Sequence, residues 1–163
     1  MTYKNKNGSG SYSFSQSNYN AGKCGQGHNL KGDIPQGNAT YDAARANMGE
    51  PWMMPTKDQY QELIDNTTSE WTSINRGIYI IYGRKFTSKT DISKYIFLPA
   101  AGMWENASIS SATNTGQYWT SAYSSSATGW SLHLDDSGIL AMTDFNRYRY
   151  KGYSIRPVRP LEW

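Results

Sequence analysis

The sequence predicts an α+β domain: two short helices come first, followed by a run of strands that build a small twisted, mostly antiparallel sheet. Two helix-start signals fall before residue 60, and none of comparable quality follows. Beyond them, Gly, Ser and Asn divide the chain into apolar and aromatic segments of strand length. The composition agrees: 37% hydrophobic and only 18% charged, with abundant Tyr, Trp, Ser, Asn and Gly, it fits a loop-rich folded protein rather than a disordered chain or a helical bundle.

At 163 residues the chain has the length of one compact domain. Residues 1–32 read as an extended, loop-rich lead-in, with only the alternation of Tyr12 and Phe14 hinting at a strand, and residues 33–163 read as the domain. Within the lead-in, "KCGQGHNLKGD" has glycines but neither the GxGxxG nor the GxxxxGK[ST] spacing, so it reads as a loop and not as a phosphate cradle.

The first helix is expected over "YDAARANM", capped by Thr40 and stopped by Gly49, with Tyr41, Ala44 and Met48 on one face. The second starts at Thr56, where Gln59 three residues on completes a capping box; Tyr60, Leu63 and Ile64 form its apolar stripe and Asn66 ends it. Helices this short need an apolar surface to pack on. The segments "GIYIIYG", "RKFTS", "YIFLP", "QYWTSAY", "GWSLHL", "GILAM" and "GYSIRPV" supply it as strands. In "GWSLHLDD", alternation sends Trp130, Leu132 and Leu134 inward and turns Ser131, His133 and Asp135 toward solvent. "GYSIRPV" is expected to be a scaffold strand, and "MWENASISSATNTG" a loop.

Sixteen Lys and Arg against thirteen Asp and Glu leave a net charge of +3, too small to imply a nucleic-acid partner by itself. No apolar run approaches the ~20 residues that cross a bilayer, and no signal peptide is recognisable, so a soluble protein without membrane insertion is expected. The single cysteine, Cys24, excludes an intrachain disulfide.

The ordered set "GEPWMMPTKDQYQELID", "RKFTS", "YIFLPAAG", "YWTSAY" and "GYSIRPV" resembles C-type lectin-like domains of the major-paralogous-domain type, related to the formylglycine-generating-enzyme branch of that fold. The likeness spans about Asp33 to Arg159. Within that group the sequence is particularly similar to variable proteins diversified by retroelements in gut phages and bacteria. The resemblance implies a rigid scaffold presenting changeable side chains on a phage virion or bacterial cell surface, with receptor binding as its role.

The inventory for catalysis is sparse. The formylglycine-generating oxidases need a pair of cysteines for copper, and Cys24 stands alone; Cys24 with nearby His28 lacks an orienting third group. Asp135 and Asp136 are adjacent and point to opposite faces of a strand. The calcium motifs EPN, QPD and WND are absent, "WEN" at 104–106 being a near miss, so no metal or cofactor is expected.

What remains is recognition. "TDFNRYRYK" breaks any strand rhythm and reads as a presented loop or edge, where tyrosine offers large contact area at low entropic cost and arginine adds planar hydrogen bonding. The expected ligand site is Ser131, His133, Asp135, Asp144, Asn146, Tyr148, Tyr150 and Lys151, led by the two tyrosines, with Trp104 and Tyr123 as secondary contacts. The neighbouring Asp135, Asp136 and Asp144 would oppose a phosphate backbone, which favours a protein or glycan ligand over nucleic acid. Two other classes fit less well: a structural or adhesin subunit of a fibre or pilus, burying the same surface in a homo-oligomer, and a carbohydrate-active enzyme.

Overall fold

A computed structural model describes residues 32–138 and 140–160. Apart from Gly32, the lead-in expected over 1–32, with Tyr12, Phe14, Cys24 and His28, lies outside the described residues.

Helix α1 (Ala43–Met48) is capped by Asp42, not by Thr40. The Asp42 carboxylate is fully buried and accepts from the amides of Ala44 and Arg45 at 2.9 and 3.0 Å. It also takes the amide of Gly37 at 2.9 Å and that of Met54 at 3.0 Å, tying the cap to the chain on both sides. Asp is a better cap than Thr and here serves four donors at once. Of the expected apolar face only Ala44 is buried; Tyr41 and Met48 face solvent, because a helix of six residues turns too little surface toward the core. Gly49 ends it at φ 73°.

Helix α2 (Lys57–Asn66) begins in the expected capping box: the Gln59 amide donates to Thr56 Oγ1 at 3.0 Å and the Thr56 amide to Gln59 Oε1 at 2.9 Å. Its inner face lays Tyr60, with Leu63 and Ile64 beside it, on the core.

The next ten residues, Thr67–Arg76, form strand β1, which polar "TTSEWTSINR" does not announce. It pairs antiparallel with β2 (Tyr79–Ser88), a single strand that joins "YIIYG" and "RKFTS". β3 (Tyr95–Pro99) pairs with β2 only over Gly83–Thr87, so the far end of the β1–β2 hairpin is a two-stranded ribbon. A second hairpin, β4 (Met103–Glu105) with β5 (Ser108–Ser110), stands where a loop is expected. Asn106 makes its tight turn possible by adopting φ 53°. The third sheet runs in the order β6–β7–β8, from Thr115–Tyr123, Gly129–Asp135 and Leu140–Thr143.

The core lies between α2 and the two larger sheets. Tyr60, Phe86, Leu98, Tyr118, Leu132 and Leu134 meet there, walled by Trp71, Ile96, Leu140 and Met142. Each such fully buried side chain contributes about 1.5–3 kcal/mol. Phe86 and Leu98 come from one sheet, and Leu132 and Leu134 from the other, so the α+β character arises from two antiparallel sheets sharing one apolar interior with a helix.

"GYSIRPV" is not a continuous strand. It touches the frame through isolated bridges: Gly152 to Trp104, Ser154 to Tyr118 and Val158 to Met53. Pro157 has no N–H to donate and interrupts any ladder between these points. Among the described residues, no helix is long and apolar enough to cross a membrane.

Candidate functional site

Beyond β8 the chain makes a tight turn in which the Arg147 amide donates to the Asp144 carbonyl at 3.1 Å. Asn146 occupies its third position at φ 56°, a conformation asparagine tolerates. The turn throws Phe145 into solvent, 76% exposed, while the Ser124 hydroxyl donates to the Asp144 carboxylate. The Phe145 amide donates to Thr143 Oγ1 at 3.2 Å.

From there the backbone is clasped to the 124–128 loop. The Gly129 amide donates to the Arg147 carbonyl at 3.1 Å and the Arg149 amide to the Ala127 carbonyl at 2.9 Å, placing Tyr148 opposite Thr128. Past a second turn, closed from Lys151 N–H to the Tyr148 carbonyl at 3.0 Å, Gly152 and Trp104 exchange both main-chain bonds at 2.8 Å. Underneath, Trp119 stacks on Tyr153 at 4.3 Å and donates its Nε1–H to the Lys151 carbonyl at 3.3 Å. Burial pushes the Tyr153 phenol up to about 12, with neighbouring Arg147 opposing the shift.

On this clasped frame the Tyr148 and Tyr150 rings stack 5.6 Å apart and 10° from parallel. Tyr148 is 37% exposed and Tyr150 half-buried, so neither ring is sealed inside. Glu105, from the β4–β5 hairpin, reaches both neighbours: Lys151 Nζ lies 3.3 Å from Oε2, and the Tyr150 hydroxyl donates to Oε1 at 3.5 Å. Lys151 Nζ also sits 5.7 Å from the centre of the Tyr148 ring. The result is an aromatic platform braced by an ion pair whose lysine is mostly buried, next to the partly exposed Trp104.

The structure therefore brings Tyr148, Tyr150, Lys151 and Trp104 together and sets Asp144 and Asn146 in the adjoining turn. Tyr123 lies half-buried at the end of β6, its amide bonded to Asp33 Oδ1 at 2.8 Å.

Ser131 and Asp135 do not face solvent: Ser131 is fully buried and Asp135 is 8% exposed. β7 is the middle strand of its sheet, so the side chains of β6 and β8 close over its outer face. Ser131 lies between Trp119 and Thr143, and the Trp119 ring spreads toward Gly129. Asp135 accepts from Ser137 Oγ at 2.7 Å and stands 3.3 Å from His133 Nε2. Its carbonyl takes a bond from Arg84 Nη2 at 3.2 Å, and Arg84 Nη1 donates to Ser69 at 3.1 Å. Burial lowers the Arg84 pKa while Asp135 raises it, as expected of an internal polar tie between the two sheets.

Sequence reasoning missed Glu105, Phe145 and Arg84. Glu105 was within view in "WEN", but its role depends on the hairpin that carries it to Lys151. Phe145 beside Asn146 is a turn signal with an apolar tip. Arg84 has no local signal, since its partners lie 15 and 51 residues away.

Among the described residues no three His, Cys, Asp or Glu side chains converge as a metal site would require. Comparison with protein-family models, curated proteins and solved structures finds no match to this chain.

Proposed function

We propose that the chain is a non-catalytic binding module of the C-type lectin-like type, presenting the Tyr148–Tyr150 platform to a protein or glycan on a cell surface. The observation that supports this most is the pairing of a partly exposed, nearly parallel tyrosine couple with a frame held by main-chain hydrogen bonds to residues 127–129 and to Trp104. Such a frame fixes the rings before a partner arrives, so little conformational entropy is lost on contact. The Glu105–Lys151 pair sets polar specificity at the rim, and Phe145 adds an apolar contact on the adjoining turn.

The resemblance to retroelement-diversified proteins of gut phages and bacteria supports a partner on a cell surface, met by a chain displayed on a phage virion or a bacterial cell. The test is binding of labelled protein to a panel of intact gut bacterial cells and to a glycan array. Retention on at least one surface, lost in a folded Tyr148→Ala/Tyr150→Ala variant, supports the reading. Equal retention by that variant overturns it.

A further inference from the structure

The strongest unexplained feature lies on the other sheet. The β3 register with β2 ends at Gly83, with one further bond from the Ala100 amide to the Tyr82 carbonyl at 2.7 Å, leaving residues 74–76 and 79–81 as a ribbon of two strands beyond the core. Such a ribbon is marginal in water unless something packs on it. Both of its faces carry exposed apolar side chains, beside polar Ser73 and Asn75 on one and Arg76 on the other. Ile74, Tyr79 and Ile81 share one face by strand alternation, and Ile80 and Tyr82 the other, with Ile78 at the tip. Ile78 is 89%, Tyr79 67%, Ile80 58% and Tyr82 42% exposed. The first face continues across the sheet through Phe97, whose ring lies over Gly83, to Tyr95, which is 61% exposed.

We propose that this ribbon and the outer face of β1–β2–β3 form the interface between two copies of the chain. Area is the first argument. With an aromatic side chain carrying roughly 150–250 Å², Ile78, Tyr79 and Tyr95 at the tip and outer face and Ile80 and Tyr82 on the opposite ribbon face together expose on the order of 500 Å². When a partner covers both faces, this area with Ile74, Ile81 and Phe97 approaches the ~800 Å² per partner of a standard interface.

Charge is the second. The outer face carries Glu70 and Lys85 as a cross-strand pair 3.6 Å apart, and the lysine ammonium also lies 4.9 Å from the centre of the Tyr95 ring. This pair is internally balanced, and the remaining charge on the face is the exposed Arg76 at the ribbon end, opposite Tyr79. Across a twofold axis each Glu70 can face the other copy's Lys85. Geometry is the third: a ribbon with exposed apolar side chains on both faces is covered when two arms embrace, each giving the other a second wall.

Sedimentation and light scattering of the full chain at micromolar concentration should give twice the 18.4 kDa chain mass. The double variant Tyr79→Lys/Ile80→Lys, charged on both ribbon faces, should run as a folded monomer, whereas Met48→Lys on α1 should stay dimeric. Amide exchange of residues 73–82 in the unmodified chain should slow as concentration rises, a readout that does not depend on the variants folding. A monomeric chain overturns the proposal, as does a dimer that survives both ribbon substitutions. Ribbon amides protected equally at all concentrations would assign the cover to the chain's own residues and overturn it as well.

Discussion

Trp119 and Tyr153 stack at 4.3 Å, and the same indole bonds the carbonyl of Lys151. One side chain on a regular strand thus holds the irregular segment that carries the tyrosine platform. Trp119→Ala should cost about 2 kcal/mol of stability, less than a fully buried tryptophan because this one is half-buried. It should also weaken binding although the ring is not in the proposed contact. Urea midpoints and binding titrations on the same variant check both effects.

Removing the platform itself should do the reverse. Tyr148→Ala with Tyr150→Ala should reduce binding by about 1–3 kcal/mol while the thermal midpoint moves little. Glu105→Gln should weaken binding less than the double tyrosine change, since it loosens the brace on Lys151 and Tyr150 and leaves both rings in place. The comparison is made by titration against whichever cell surface retains the unmodified chain.

Asp42 and Thr40 give a sharp contrast. Asp42→Ala strands the buried amides of Ala44 and Met54 and the part-buried amides of Gly37 and Arg45, and should destabilise the domain by on the order of 3 kcal/mol. Thr40→Ala should stay within about 0.5 kcal/mol. Chemical denaturation of the two variants separates the alternative caps.

Burial raises the phenols of Tyr60, Tyr118 and Tyr153 above the ordinary tyrosine value. Unfolded tyrosine ionises near pH 10, so above that pH the unfolded chain binds fewer protons than the folded one and stability falls as pH rises. The slope should be about 1.4 kcal/mol per pH unit for each of the three, with no loss from this source below about pH 10. Thermal melts across the alkaline range, read with the phenolate absorbance band, should show ionisation and unfolding together.

Local chemistry made α2 legible to the residue, because a capping box and an apolar stripe are both written within ten positions. Most of the apolar strands are readable too, with Leu132 and Leu134 inward as alternation requires, but "GYSIRPV" meets the frame only through isolated bridges. The polar β1 was not, since its place in the sheet comes from pairing with β2 rather than from its own pattern. The candidate surface divides the same way. Tyr148, Tyr150 and Lys151 stood out by composition, whereas Glu105 joins them only through a hairpin whose turn depends on Asn106 at positive φ. Ser131 and Asp135 were misplaced because alternation assigns a face but says nothing of what neighbouring strands lay over it.

The bonds that fasten residues 147–152 to the rest of the molecule run between amides and carbonyls of Arg147, Arg149 and Gly152 and those of Gly129, Ala127 and Trp104. Every amino acid except proline brings those same atoms. A repertoire of different side chains at 148 and 150 can therefore be mounted without dismantling the support, which makes tolerance to sequence drift a property of how this segment is attached.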